Sequence, residues 1–424
     1  MRARAFVLSL ALVSSLAARA RAQESCGVCH GDLARVEARG AHARAGVTCV
    51  ACHGGVAGVL DVAGAHAGGV RVAHSPRAGV ELCGGCHADA ERMRGFGLRT
   101  DQLLLYASSA HGRRLAEEDD LNVATCAGCH GAHGVLSASD PRSSVHPLRQ
   151  GETCGRCHAD EALMARYGVS TEPSRQFPAS VHGRALLEQG LVSSPSCAGC
   201  HGSHGAAPPR VEEVGRVCGG CHATVRQHFD RSPHRAASED RALEECVSCH
   251  GSHAVAEPSM DMLVGDAGGH CGSCHGRDAR AIEAGEAMHV LLSDFDARLA
   301  DAQRAIDAAE QRGSFLSRAH DWLAEARSVR RRAGPAVHGL EPQALDDLLD
   351  VGRGMIAETL DGVRHEERAL ADRRLLVLVF VGVVLLLAAV LWIHAREVAG
   401  RAEGEPDLFF RARRAGERPG ADRG

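Results

Sequence analysis

The chain has 424 residues with 48 basic and 53 acidic side chains, a formal net charge of −5 with the two signs interspersed, which argues against a nucleic-acid partner. Aromatic residues make up only 3% and lysine is absent, so every basic charge is an arginine. So few large apolar side chains cannot fill a protein-only core over about 250 residues, and the 18 cysteines and 26 histidines must be read with that shortage in mind.

Residues 1–22 read as a secretory signal peptide. Arg2 and Arg4 give a positive start, Phe6 to Leu16 an apolar run, and Ala20-Arg21-Ala22 a small-residue cleavage site before Gln23. The sequence that follows is expected to be exported.

Residues 23–280 form one domain by cysteine content, and it holds nine C-x-x-C-H pentads. They are Cys26 and Cys29 with His30, Cys49 and Cys52 with His53, Cys83 and Cys86 with His87, Cys126 and Cys129 with His130, and Cys154 and Cys157 with His158. The rest are Cys197 and Cys200 with His201, Cys218 and Cys221 with His222, Cys246 and Cys249 with His250, and Cys271 and Cys274 with His275. No cysteine is left over. This pentad is the signature of covalent c-type haem attachment, in which two thioethers tether the porphyrin and the histidine takes one axial position on iron. Zinc knuckles need four ligands and have no use for a histidine after every second cysteine. Cysteines three apart also make a poor disulfide. The residues therefore predict nine haem c groups, whose porphyrins would supply the missing apolar volume.

After the lone first pentad, the other eight fall into four two-pentad units. Each opens on a histidine among small residues: Gly40-Ala41-His42, Ser109-Ala110-His111-Gly112, Ser180-Val181-His182-Gly183 and Ser232-Pro233-His234. In the last three units the first pentad extends as C-H-G-x-H, giving His133, His204 and His253. The first unit has Gly54-Gly55 there instead, so His66 or His74 must serve. Iron has a second axial position for such histidines. We read His111, His133, His182, His204, His234 and His253 as distal ligands from their place in the repeat, with His42, His74 and His289 completing nine. His66, His146, His228 and His270 are left open between ligand and surface residue. Met93, Met164, Met260 and Met262 show no shared setting and are read as packing.

Residues 281–371 lack cysteine and read as a helical bundle or coiled-coil segment. Met288, Leu292, Phe295, Leu299, Ala302, Ile306 and Ala309 recur at three- and four-residue steps. Gly313-Ser314 breaks the chain before a second stripe of Phe315, Ala319, Trp322, Ala326 and Val329. Gly334-Pro335 ends that helix, and Pro342 opens a third through Leu345, Leu349, Ile356, Leu360 and Val363. Residues 372–395 contain 19 uncharged residues, Leu375 to Ile393, enough for a transmembrane helix. Residues 396–424 are charged and glycine-rich and read as a disordered tail inside the cell.

On the nine pentads, the S-x-H-G histidines and the C-H-G-x-H extensions, residues 26–275 resemble the periplasmic multihaem c-type cytochromes. That resemblance implies a mainly α fold with extensive loops wrapped around a chain of haems, then the bundle and a C-terminal membrane anchor. It implies electron relay between a quinone-linked membrane complex, or other cytochromes, and a periplasmic or outer-membrane acceptor, in a bacterial inner membrane. The alternative is a multihaem reductase or oxidase of nitrite, hydroxylamine or tetrathionate. Nitrite reductases of this kind use a pentad ending in lysine, which this chain lacks, and histidine here is in surplus. Electron transfer is the favoured expectation, and no catalytic residue is assigned.

Overall fold

The computed structural model describes residues 25–239, 243–265, 270–276 and 278–404. The signal-peptide segment 1–22 and the tail beyond 404 lie outside them. The described residues are mainly helical, and the one isolated β-bridge among them joins Gly54 to Val70. The chain divides into two compact units, one through Ser259 and one from Met260.

The first unit is a succession of short helices punctuated by glycine and proline. Six matter below: α1 (Ala41–Arg44), α2 (Pro76–His87), α3 (Ala110–Glu117), α4 (Pro147–His158), α5 (Val181–Leu187) and α6 (Val211–Gly219). Proline at the first helical turn starts α2 and α4, where a missing N–H costs nothing. Its buried apolar side chains among the described residues are Val80, Met93, Leu115, Met164, Leu186 and Phe229. Six such residues do not make a protein core for a unit this long. Met93 and Met164 turn out to share a setting. Each is buried six residues after a pentad histidine, on a helical turn whose N-terminus is capped by Asp89 or Asp160.

The second unit has a conventional core. Helix α7 (Ala279–Gln311), α8 (Ser317–Ala336) and α9 (Pro342–Gly404) pack together, with Met288, Leu292, Phe295, Ala302, Ile306, Leu323, Val329, Leu345 and Leu349 buried between them. The stripes on α7 and α9 are those the periodicity predicts. On α8 the face is shifted: Leu316, Ala319, Leu323, Ala326, Val329 and Ala333 are buried, while Phe315 points away and Trp322 is only half-buried. The cause is the turn at Gly313, whose φ of 96° reverses the chain and leaves Leu316 as the residue capping α8. The last pentad, Cys271–His275, goes with this unit, because the Cys271 thiol packs where Gly285 of α7 leaves room, 3.2 Å from an ideal Cβ.

Helix α9 runs 63 residues without a break, joining the third bundle stripe to the apolar run at Leu375–Ile393. Residues 364–374 contain neither glycine nor proline, so nothing interrupts it. Its most apolar window has a mean hydropathy of 3.2 and none of it is buried, so one helix is long and apolar enough to cross a membrane. Residues 396–404 continue the same helix, so the disordered tail expected from 396 does not begin there.

The bundle packing is tested at two glycines on α9. A Cβ on Gly352 would lie 2.5 Å from the Phe295 ring, whereas Gly354 has open space around it. Gly352→Ala should cost about 1–3 kcal/mol by overpacking. Gly354→Ala should stabilise the helix by about 0.5–1 kcal/mol. Denaturant unfolding followed by far-ultraviolet circular dichroism reads the opposite signs.

Candidate functional site: paired histidines along a repeated chain

Each pentad that is described as a helix uses a single turn or the last turn of a longer helix. Cys49–His53, Cys126–His130, Cys197–His201 and Cys271–His275 are free-standing turns, while the third and fifth pentads end α2 and α4. Residues three and four apart share a helix face, so both cysteines and the histidine project to one side. None of the 18 cysteines is engaged in a disulfide.

Two local devices place the histidines outside the pentads. In the S-x-H-G segments, Ser109 caps α3 by accepting from the Gly112 N–H at 2.9 Å, and Ser180 caps α5 by accepting from Gly183 at 3.0 Å. Each serine hydroxyl also donates back to a carbonyl of the preceding turn, at Tyr106 or Phe177, at 2.7 Å. The glycine is obligatory, since a Cβ on Gly112 or Gly183 would sit 1.9 Å from those same carbonyl oxygens. His111 and His182 are thus fixed on a turn pressed against its neighbour. In the C-H-G-x-H segments, Gly131 and Gly202 end the pentad turn at φ 80° and 79° with extended ψ, a region open only to glycine. The chain doubles back there and presents His133 or His204.

Seven pairs of histidine rings come together among the described residues, five of them through these devices. The centroid separations are 6.4 Å for His30–His66, 6.0 Å for His42–His87, 6.0 Å for His53–His133 and 6.1 Å for His111–His158. They are 6.1 Å for His130–His204, 6.1 Å for His182–His222 and 5.8 Å for His201–His253. In every pair one member belongs to a pentad, and the seven include all of the first seven pentad histidines. His234, His250 and His275 each engage a partner as well. His66, not His74, faces His30. His74 is exposed and its backbone N–H donates to Val72 at 2.9 Å. His289 lies on α7, 3.9 Å from the Asp261 carboxylate. His146 caps α4 instead, with its Nδ1 accepting from the Leu148 N–H at 3.3 Å.

The pairing obeys a rule that spans units. The histidine opening a unit faces the second pentad of that unit: His42 with His87, His111 with His158, His182 with His222. The C-H-G-x-H histidine faces the first pentad of the unit before it: His133 with His53, His204 with His130, His253 with His201. One backbone bond stitches each junction. Ala41, Ala110 and Val181 donate to the carbonyls of Val135, Ala206 and Val255 at 2.6, 3.1 and 2.9 Å. In the fourth unit the equivalent donor position is Pro233, which has no N–H to give.

Neighbouring pentads also adjoin in chain order. First cysteines adjoin across Cys26–Cys49, Cys83–Cys126, Cys154–Cys197 and Cys218–Cys246. Second cysteines lie within electrostatic reach across Cys52–Cys86, Cys129–Cys157 and Cys200–Cys221. The two kinds of junction alternate from the first pentad to the eighth.

The electrostatics favour neutral imidazoles. Burial, and then the partner ring His158, push His111 below the ordinary histidine range. Burial followed by His204 does so for His130, and burial followed by His222 for His182. His53, His66 and His201 turn Nδ1 toward the carbonyls of Arg71, Val62 and Ala207 at 2.8, 2.8 and 3.2 Å. Those contacts make Nδ1 the donor and leave Nε2 with its lone pair, the tautomer a metal requires.

Residues of the first six pentads, Cys218 of the seventh and the seven partner histidines line an apolar cavity of about 2830 Å³, walled further by Leu33, Leu82, Leu103, Leu148 and Val217. Ordinary ligand pockets span about 300–1,000 Å³, and protein interiors leave few gaps larger than a water. Two imidazole nitrogens bound on opposite sides of one metal, at roughly 2 Å each, put ring centroids about 6 Å apart. The cavity and the ring spacing therefore suit a set of large planar groups, each holding a metal between two histidines. Among the described residues no three His, Cys, Asp or Glu side chains converge as they would on a bare metal ion. The chain matches no known family model, no curated protein and no solved structure.

The S-x-H-G device is testable at Gly183. Gly183→Ala should drive the α5 turn off Phe177, costing about 3 kcal/mol and raising amide exchange over 181–187. Gly151→Ala on α4, with nothing within 4 Å of its Cβ, should instead stabilise by about 0.5–1 kcal/mol and leave exchange over 181–187 unchanged.

Proposed function

We propose that the chain is a membrane-anchored c-type cytochrome of nine haems that relays electrons. The donor side would be a quinone-linked membrane partner or other cytochromes, and the acceptor a periplasmic or outer-membrane protein. The observation that carries this reading is the pairing of every one of the first seven pentad histidines with a second histidine. Bound haem would supply a one-electron iron centre at each pair.

The chain's own residues do the rest. The pentad cysteines would tether each haem, and the pentad histidine and its partner would both hold its iron. Those seven sites would then offer no place for nitrite or hydroxylamine, which separates relay from reductase or oxidase chemistry. Neutral, carbonyl-oriented imidazoles are poised to ligate. Histidine in place of methionine keeps potentials low. The alternating cysteine junctions give a succession of neighbouring sites along which single electrons can pass. The signal-like start and the apolar stretch of α9 support a single-pass anchor in a bacterial inner membrane with the haem unit on the periplasmic side.

Mass spectrometry of the mature protein should give the apo mass plus nine haems, and the native protein should show no spectral change with nitrite. His182→Ala should open one haem, seen as a new high-spin band that responds to nitrite. A native protein that already binds nitrite at a high-spin haem would overturn the relay in favour of an enzyme.

A further inference from the structure

The α7–α8 turn carries Phe315, which is 84% exposed, more than any other large apolar side chain of the described residues. Its neighbours are not loose: Ser314 is 8% and Leu316 4% exposed. A rigid turn is holding a phenyl ring out of the bundle, and an exposed large apolar group on a fixed support marks a contact.

What it contacts follows from the height of the turn along α9. The Arg374 guanidinium donates to the carbonyl of Arg312, and the Arg312 guanidinium pairs with Glu367. A Cβ on Gly313 would lie 3.9 Å from the same Arg374 side chain. Arg374 is the residue immediately before the apolar run at Leu375, and Glu367 lies eight residues before it, about 12 Å along the helix. The turn is therefore pinned to the last stretch of α9 before Leu375. The interfacial layer on each side of a bilayer is about 5–8 Å deep, and the Arg374 contact brings the turn that carries Phe315 to its edge. Aromatic rings are favoured there, with arginines alongside to meet headgroups. Arg373 and Arg374 stand at the same level, Arg373 also within 3.7 Å of Glu366. Trp322, by contrast, packs against Gly362, thirteen residues before Leu375, and so lies well above the surface.

We propose that the Gly313–Leu316 turn is a second membrane contact, with Phe315 seated in the headgroup layer of the leaflet that α9 enters. The inference rests on reading Leu375–Ile393 as a span. It makes the bundle a base held on the bilayer at two points, by the span and by this turn, so that α9 cannot swing freely where it leaves the lipid.

The test uses full-length haem-loaded protein in nanodiscs of phosphatidylethanolamine and phosphatidylglycerol. A photoreactive benzoyl-phenylalanine replaces Phe315, Leu385 or Val351, one at a time. Leu385 lies mid-span, and Val351, 52% exposed on α9, stands about 36 Å before Leu375. After illumination, mass spectrometry should find lipid adducts at 315 and 385 and none above the dark control at 351. Adduct at 385 without 315 would overturn the turn contact and leave the span intact. No adduct at either would overturn both. A protein cross-link at 315 in place of lipid, or equal lipid labelling at 351, would also overturn it.

Discussion

The first unit depends on one repeated interaction: two imidazole rings from different parts of the chain held about 6 Å apart. Six buried apolar side chains cannot by themselves order more than two hundred residues. The histidine pairs tie together segments that share almost no protein core, such as residue 53 with 133 and 130 with 204. On the proposed reading the group between each pair is itself the core. The fold then forms by ligation as much as by hydrophobic burial, in the way that structural metals stabilise small domains.

The pairing rule makes the unit an interlocked repeat. Each two-pentad module supplies its own second site and completes the first site of its predecessor, so no module is whole alone. That is the logic of solenoids, in which stability resides at the interfaces between neighbours. The backbone stitches at Ala41, Ala110 and Val181 lie at the same junctions. Pro233 removes the donor in the last module, where no further module follows to accept it. Terminal repeats are atypical for this reason.

Much of this was legible in the residues. The pentads, the four units and the bundle stripes on α7 and α9 follow from spacing and periodicity. The partner of each histidine did not, because spacing cannot tell whether a C-H-G-x-H histidine turns to its own pentad or to an earlier one. His53 with His133 is the clearest case, a match set by the glycine turn and a backbone bond between units. From sequence His74 reads as the ligand and His66 stays open, whereas it is His66 that faces His30. The Gly54–Val70 bridge, which folds residues 54–70 back on themselves, and the Val62 carbonyl, which orients the His66 ring, settle which one faces His30. On α8 the periodicity assigned Phe315 to the core, and a single positive-φ glycine shifted the face.

The ring planes offer the most direct measurement. In the pairs made by first pentads of a unit, His53–His133, His130–His204 and His201–His253, the planes are 25°, 8° and 7° apart. In those made by second pentads, His42–His87, His111–His158 and His182–His222, they cross at 55°, 65° and 50°. Near-parallel and crossed imidazoles give low-spin ferric haems of distinct magnetic anisotropy. Electron paramagnetic resonance of the oxidised protein, followed through a potentiometric titration, should resolve two low-spin bis-histidine populations, one rhombic and one strongly anisotropic, both at low potential. A spectrum dominated by high-spin haem, or by histidine–methionine centres at high potential, would contradict the account.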